Sequence, residues 1–160
     1  MNTALLIIDV QKAFIGELKD TKVYQETLMI INATADLFRK ANRPVFIIKD
    51  VSEGDGPAFD VVDELEINNQ DIQVNKLQSN AFWDTDLESK LRALSVDFLV
   101  LCGNAAEFCV LATYNGAIER GFKTVMLQHG IFANHERGLL DLYWNRPLIS
   151  YTAIKYLLKK

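Results

Sequence analysis

The amino-acid sequence predicts an α/β fold, with an open, mostly parallel sheet of about six strands and helices on both faces. The first observation is that short apolar runs alternate with segments of helical periodicity along the 160 residues. The second is that residues 4–8 are continuously apolar, which is typical of a strand covered on both faces. Alternating β and α units are joined by right-handed crossovers, so successive strands are expected to run parallel in one sheet.

The first predicted strand, residues 4–8, ends in Asp9. Apolar residues at helical spacing then predict a helix from residue 24 to about residue 41. A second strand, residues 45–48, follows this helix and leads into Asp50. Both predicted strands therefore lead into an aspartate.

The middle of the chain has weaker signals. Residues 51–70 contain glycine and proline among acidic residues, which predicts an irregular surface segment. A weak third strand at 72–74 precedes Lys76. Thr85, followed three residues later by Glu88, predicts a capping box at the start of the next helix.

The second half of the chain repeats the alternation of strands and helices. Gly103 is expected to end the fourth strand, and Gly121 to close the helix that follows. The predicted elements are a strand at 98–101, a helix at 107–120, a strand at 124–127, a short helix near 136–142, a strand at 148–151 and a basic C-terminal helix. With 49% hydrophobic residues, residues 1–160 are expected to form a single domain.

Composition disfavours several kinds of partner. The formal charge of −4 makes a nucleic-acid partner unexpected, because such proteins use clustered Lys and Arg to displace counterions. No apolar run reaches the roughly 18 residues of a membrane span, and the start has no basic region of a signal peptide. Cys102 and Cys109 fall on different predicted elements, so a disulfide between them is not expected. A soluble, cytoplasmic chain with reduced thiols and no membrane partner is the expectation.

Three residues that follow strands are the first candidates for a site, because ligands of open α/β sheets bind at the carboxyl ends of the strands. They are Asp9, Lys76 and Cys109. Cys109 follows a turn that leads into a helix, where the helix N-terminus and a nearby ammonium would lower its thiol pKa from about 8.5. A carboxylate opposite could then act as general base and acid, which indicates nucleophilic catalysis.

Ordinary structural roles are the alternatives for each candidate. Cys109 could be a small buried hydrophobe, Asp9 a turn or helix cap, and Lys76 a solvated surface residue. Cys102, inside an apolar strand, is expected to be a core residue. The residues expected at a substrate pocket are Phe14, Phe82, Trp83, Asn104 and Phe108, although aromatic side chains are as often plain core.

Three stretches of the sequence are similar to the signature blocks of the isochorismatase-like cysteine hydrolases. They are LLIIDVQKAF at residues 5–14, Lys76 with the following Ser79, Asn80, Ala81, Phe82 and Thr85, and CGNAAEFCV running into ATYNGAIERGFKT. Residues 51–70 and the region beyond residue 128 fit least well. The resemblance implies a Rossmann-like fold, a homodimer or larger homo-oligomer, and a cis peptide joining Asn104 to Ala105.

The resemblance also implies a catalytic group of Asp9, Lys76 and Cys109. In the implied reaction the Cys109 thiolate attacks an amide or similar carbon of a small molecule, and the backbone N–H groups of Ala105 and Cys109 form the oxyanion hole. Asp9 protonates the leaving group and then activates water to release the thioester. Lys76 stabilises the anionic forms of its two neighbours.

Some positions depart from the family pattern. Ala106 stands where a threonine is usual, and Gln128 and His129 where an aspartate is frequent. Nicotinamidases of the family follow the aspartate after the second strand with paired metal-binding histidines, but Asp50 is followed by Val51 and Ser52. His129 and His135 are six residues apart, a spacing that fits no helical metal pair. The expected hydrolase is therefore metal-independent and without a cofactor.

Two other functions remain open at this point. One is hydrolysis of a vinyl ether without a covalent step, as in isochorismatase itself. The other is a non-catalytic family member that binds a metabolite or a protein partner. A shared fold does not choose among these possibilities.

Overall fold

The computed structural model describes residues 1–159 and contains one six-stranded sheet in the order β3-β2-β1-β4-β5-β6. Every neighbouring pair of strands in this sheet is parallel. The predicted α/β fold with a parallel sheet is confirmed. The strands are β1 (Thr3–Ile8), β2 (Val45–Asp50), β3 (Ile72–Lys76), β4 (Phe98–Gly103), β5 (Lys123–Ile131) and β6 (Leu148–Ile149).

Helices cover both faces of the sheet. They are α1 (Lys12–Ile15), α2 (Lys22–Lys40), α3 (Leu87–Ala93), α4 (Cys109–Glu119), α5 (Glu136–Asn145) and α6 (Tyr151–Leu157), with short 3-10 helices at Gly16–Asp20 and Pro57–Phe59. None of the helices in residues 1–159 combines the length and apolar character needed to cross a bilayer.

Strand β1 lies inside the sheet, between β2 and β4, and all of its residues are buried. Alternate side chains enter two apolar cores: Leu6 and Ile8 join the core under α3 and α4, while Leu5 and Ile7 join the core under α2. Burying each of these side chains contributes roughly 1.5–3 kcal/mol before the loss of chain entropy is counted. The continuous apolar run predicted from sequence thus reflects cover on both faces.

Helix α2 begins two residues before the predicted start. The hydroxyl oxygen of Thr21 accepts a hydrogen bond from the Tyr24 N–H at 3.1 Å, which satisfies one of the free amides of the first turn. The buried face of the helix includes Leu28, Ile31 and Phe38, in agreement with the predicted apolar stripe.

The predicted capping box at Thr85 and Glu88 is wrong. The Thr85 hydroxyl donates to the carbonyl of Ala81 at 2.6 Å and accepts from the Leu87 N–H at 3.3 Å. The Glu88 carboxylate instead accepts hydrogen bonds from Arg120 at 3.0 Å and from Arg92 at 3.3 Å. Tertiary ion pairing has therefore replaced the local cap.

Three predicted boundaries are corrected in the second half of the chain. Helix α4 begins at Cys109 rather than at residue 107, because the preceding residues form a turn. Strand β5 extends to Ile131, since its later residues pair with the end of β4. Tyr151 begins α6 rather than ending β6, with the Ser150 hydroxyl accepting from the Ala153 N–H at 3.2 Å.

Candidate active site

Four side chains meet at the carboxyl edge of the sheet. Asp9 directly follows β1, Asp50 ends β2 and Lys76 ends β3. The parallel register pairs Asp50 with Lys76, and Cys109 begins the helix after β4. The strand order brings these four positions together because β3, β2, β1 and β4 are successive neighbours.

The Lys76 ammonium is the centre of this cluster. Its Nζ lies 2.8 Å from Asp9 Oδ2, 2.7 Å from Asp50 Oδ2 and 3.3 Å from Cys109 Sγ. The Lys76 side chain is fully buried, so the alternative of a solvated surface lysine is wrong. The three residues that the sequence placed in one candidate group therefore lie in one contact cluster.

A cavity of about 330 Å³ opens onto the cluster. Phe14, Asn104 and Phe108, which the sequence placed at a pocket, all line it. The cavity is lined by Asp9, Ala13, Phe14, Asp50, Asn104, Ala105, Phe108, Cys109 and Asn134.

Phe82 and Trp83 do not line this cavity, and their predicted place at the pocket is corrected. Phe82 is buried in the core, where its ring stacks on Phe122 at 5.7 Å between centroids. Trp83 is 58% exposed on the surface. The segment after β3 packs against α4, where the Ala81 N–H donates to the Thr113 hydroxyl at 3.0 Å.

Mutual ion pairing stabilises the charged forms of Lys76 and Asp50. Burial lowers the pKa of Lys76, but the carboxylates of Asp9 and Asp50 outweigh burial and leave this pKa above its ordinary value. Burial raises the pKa of Asp50, but hydrogen bonds from Lys76 and Ser52 outweigh it and hold this pKa below its ordinary value.

Asp9 has the opposite balance. Burial raises the pKa of its carboxyl, and the attraction of Lys76 offsets burial only in part. The Oδ1 atom of Asp9 is buried and has no hydrogen-bond partner among residues 1–159. A carboxylate in this state readily takes up a proton.

The thiol of Cys109 is neutral in this environment. Burial and the negative charge of Asp9 raise its pKa to about 12, and Lys76 offsets only part of that rise. The expectation of a lowered thiol pKa at the helix N-terminus is therefore wrong, because desolvation and a nearby carboxylate outweigh the ammonium. The thiol needs a base to become a nucleophile, and Asp9 is beside it.

Two backbone N–H groups at the cavity are free. The peptide bond between Asn104 and Ala105 is cis, in agreement with the expectation. The carbonyl of Ala105 accepts from the Phe108 and Val110 N–H groups at 3.1 and 3.2 Å. Within the described chain, the N–H groups of Ala105 and Cys109 donate no hydrogen bond. Ala105 and Cys109 both line the cavity, and an oxyanion hole at their N–H groups stays a prediction.

The donor atoms of Asp9, Asp50 and Cys109 lie within 4.8 Å of one another, close enough to share a metal ion. The Lys76 ammonium, however, contacts all three and already supplies the positive charge between them. A metal ion would have to displace this buried ammonium, so we do not assign the three residues as metal ligands.

Sequence reasoning did not assign Asp50 and Gln11 to the site. The Gln11 side chain is buried; its Nε2 donates to the Asp50 carbonyl at 2.9 Å and its Oε1 accepts from the Asp50 N–H at 2.7 Å. The position of Asp50 could have indicated a site residue, since Asp50 ends a buried strand and Asp9 directly follows one. Gln11 carried none, because a lone glutamine gives no indication of its partners.

Comparison with known proteins identifies the family of this chain. The family model described as the isochorismatase domain matches residues 3–138. The chain belongs to the isochorismatase family. The resemblance seen in the sequence blocks is thereby confirmed, and with it the expectation of an isochorismatase-like hydrolase.

Two isochorismatase family relatives match most of the chain. The uncharacterized family protein YecD of Escherichia coli O157:H7 is 30% identical over 88% of this chain and 87% of its own length. The uncharacterized family protein YddQ of Bacillus subtilis is 29% identical over 76% of this chain and 73% of its own length.

Solved structures show the same fold at lower identity. An N-carbamoylsarcosine amidase from Thermoplasma acidophilum superposes with a TM-score of 0.82 at 22% identity, covering 94% of this chain and 95% of that one. An isochorismatase-like hydrolase from Alkaliphilus metalliredigens gives a TM-score of 0.83 at 20% identity, covering 99% and 98%. The isochorismatase fold thus extends over nearly the whole chain.

Proposed function

We propose that this protein hydrolyses an amide or other C–N bond of a small molecule, with Cys109 as the nucleophile. The observation that carries this proposal is the contact of the buried Lys76 ammonium with Cys109 Sγ and the Asp9 carboxylate, two residues that line the cavity. Relatives named as hydrolases support it, one of them as an amidohydrolase. A streptothricin hydrolase of Streptomyces noursei is 28% identical over 83% of this chain and half of its own length. A ureidoacrylate amidohydrolase of Pantoea ananatis is 32% identical over 60% of this chain.

In the first step, Asp9 takes the thiol proton while Cys109 Sγ attacks the carbonyl carbon of the substrate. A C–S bond forms, and the π electrons of the carbonyl move onto its oxygen. The raised pKa of Asp9 suits this role, because a carboxylate in that environment holds a proton more firmly than an ordinary aspartate.

The developing oxyanion is held by the free N–H groups of Ala105 and Cys109. One such donor typically contributes about 10²–10³-fold to kcat. Lys76 keeps its charge beside both reacting groups, because its pKa is raised, and so stabilises the thiolate as it forms.

In the second step, the C–N bond breaks and Asp9 returns its proton to the leaving nitrogen. This leaves an acyl thioester on Cys109. Asp9 then removes a proton from a water molecule that attacks the thioester, and the same proton goes to the sulfur as the C–S bond breaks. The net reaction consumes one water and yields an acid and an amine.

The test is a panel of small amides, ureides and vinyl ethers assayed with the wild type and with Cys109→Ala. We expect wild-type turnover of at least one C–N substrate and a loss of about 10³-fold or more in Cys109→Ala. Cys102→Ala is the matched control, since this second thiol is buried in β4 and is expected to keep turnover within a few-fold.

Two results would contradict the proposal. Vinyl ether turnover that persists in Cys109→Ala would favour the non-covalent reaction. Binding of panel compounds without any turnover would favour a non-catalytic role. Independence from metals and cofactors, self-association and a cytoplasmic location stay predictions.

A further inference from the structure

Both oxygens of the Asp50 carboxylate are engaged. Oδ2 accepts from Lys76 Nζ at 2.7 Å. Oδ1 accepts from the Ser52 N–H at 2.9 Å and from the Ser52 hydroxyl at 2.6 Å. The carboxylate therefore cannot rotate without breaking a hydrogen bond, and charge-assisted bonds of this kind are the stronger ones.

The main chain of Asp50 is also fixed from outside its own strand. Gln11 bonds both the N–H and the carbonyl of Asp50, and its Nε2 also donates to the Phe59 carbonyl at 2.6 Å. Gln11 lies two residues after Asp9, so it ties the segment that carries Asp9 to the end of β2. The buried Gln11 side chain thereby adds a further tie between the two aspartates, beside the bond from the Asp9 N–H to the Ile48 carbonyl at 3.0 Å.

The cluster holds two carboxylates and one ammonium. Other charged groups near the cavity are engaged elsewhere: Lys12 on α1 pairs with Asp63 at 2.6 Å, and Glu107 accepts the N–H groups of Asn134 and His135. Neither compensates the excess negative charge. Asp50 has the support of Ser52, whereas Asp9 has an unpartnered oxygen, so the excess charge is least stable on Asp9.

We propose that Asp50 is a positioning residue that holds the Lys76 ammonium and so leaves Asp9 as the proton acceptor for Cys109. The inference rests on the proposed function. Without the Asp50 charge, Asp9 would be the sole carboxylate paired with Lys76. That stronger pairing would make Asp9 a weaker base.

The first test is the pH dependence of amide turnover in Asp50→Asn. We expect kcat to fall by about 10–100-fold with KM within about threefold, and the acid limb of the kcat profile to move down by about one pH unit. A purely structural defect would lower the active fraction without moving the limb. Asp60→Asn is the control, because Asp60 pairs with Lys49 at 3.2 Å outside the cluster.

The second test does not depend on turnover. Alkylation of Cys109 by iodoacetamide is followed against pH by peptide mass spectrometry in the wild type and Asp50→Asn. Removing a negative charge within 4.8 Å of Sγ should lower the pKa of the thiol and so raise the alkylation rate at pH 8 by about threefold or more. If wild type turns over no amide but Asp50→Asn is alkylated faster at pH 8, the proposed function fails while the electrostatic effect of Asp50 on Cys109 stands.

An Asp50→Asn protein whose pH profile and alkylation curve both match wild type would overturn the inference. Should this variant fail to fold, Ser52→Ala provides the test, since it removes the 2.6 Å bond to Asp50 Oδ1 and keeps the charge. Loosening Asp50 should move the acid limb in the same direction by a smaller amount. An unmoved limb in Ser52→Ala would then overturn the inference.

Discussion

Cys109 lies between two groups of opposite charge, and the balance between them sets its chemistry. Lys76 favours the thiolate, whereas burial and Asp9 favour the thiol, and the second pair prevails. The nucleophile therefore forms by proton transfer during attack rather than resting as a thiolate. Since the pKa of Asp9 is raised above 3.8, the acid limb of turnover should lie above the range of an ordinary aspartate.

This balance predicts opposite effects of Asp9→Asn on two measurements. Removing the carboxylate charge should lower the pKa of Cys109 and speed its alkylation at pH 8 by about tenfold. Removing the base should reduce amide turnover by about 10³-fold. Alkylation is measured by mass spectrometry and turnover by product release.

Asp36→Asn serves as the control, because Asp36 pairs with Lys40 on the outer face of α2. It should change neither quantity. Slower alkylation in Asp9→Asn, or preserved turnover, would contradict the role given to Asp9.

The turn between β4 and α4 presents Cys109 to the cavity, and it begins at Gly103. This glycine has a φ of +112°, and a Cβ there would lie 2.0 Å from the carbonyl oxygen of Ile8 on the neighbouring strand. The N–H of Asn104 donates to the same carbonyl at 2.7 Å. A shift of β1 that made room for a Cβ would therefore break this hydrogen bond.

Gly103→Ala should therefore lower the free energy of unfolding by about 3 kcal/mol or more. Gly121→Ala is the matched control, since Gly121 also has a positive φ of +82° but no atom within 4 Å of the added Cβ. It should cost about 1 kcal/mol. Urea unfolding of both variants gives the comparison, and equal losses would contradict the steric argument.

Local sequence signals predicted helices and strands correctly where one face is evenly buried. They failed where tertiary contacts determine how a helix begins. The apolar run of β1 and the stripe of α2 were sufficient because both reflect simple cover of a face. The capping box failed because Glu88 finds Arg120, which is distant in sequence. The start of α4 was misplaced because the turn before Cys109 depends on hydrogen bonds to Ile8 of β1 and to Phe132, which follows β5.

At the scale of the whole molecule, the sheet order creates the candidate site. Asp9, Lys76 and Cys109 could be predicted together because each follows a strand, and ligands of such sheets bind at that edge. The raised pKa of Cys109 could not be predicted, because it depends on how deeply the thiol is buried in the folded chain. The place of Phe82 in the core could not be predicted either, since an aromatic residue near a motif is as suited to a core as to a pocket.

The proposed hydrolase requires these three distant residues to form one working nucleophilic site. Its most direct test is rapid-quench mass spectrometry of the wild type with an amide that it turns over. We expect a transient adduct of the acyl mass on the peptide that contains Cys109, formed and lost at rates that explain kcat. Turnover of that amide with no adduct on Cys109, at a rate that Cys109→Ala retains, would contradict it.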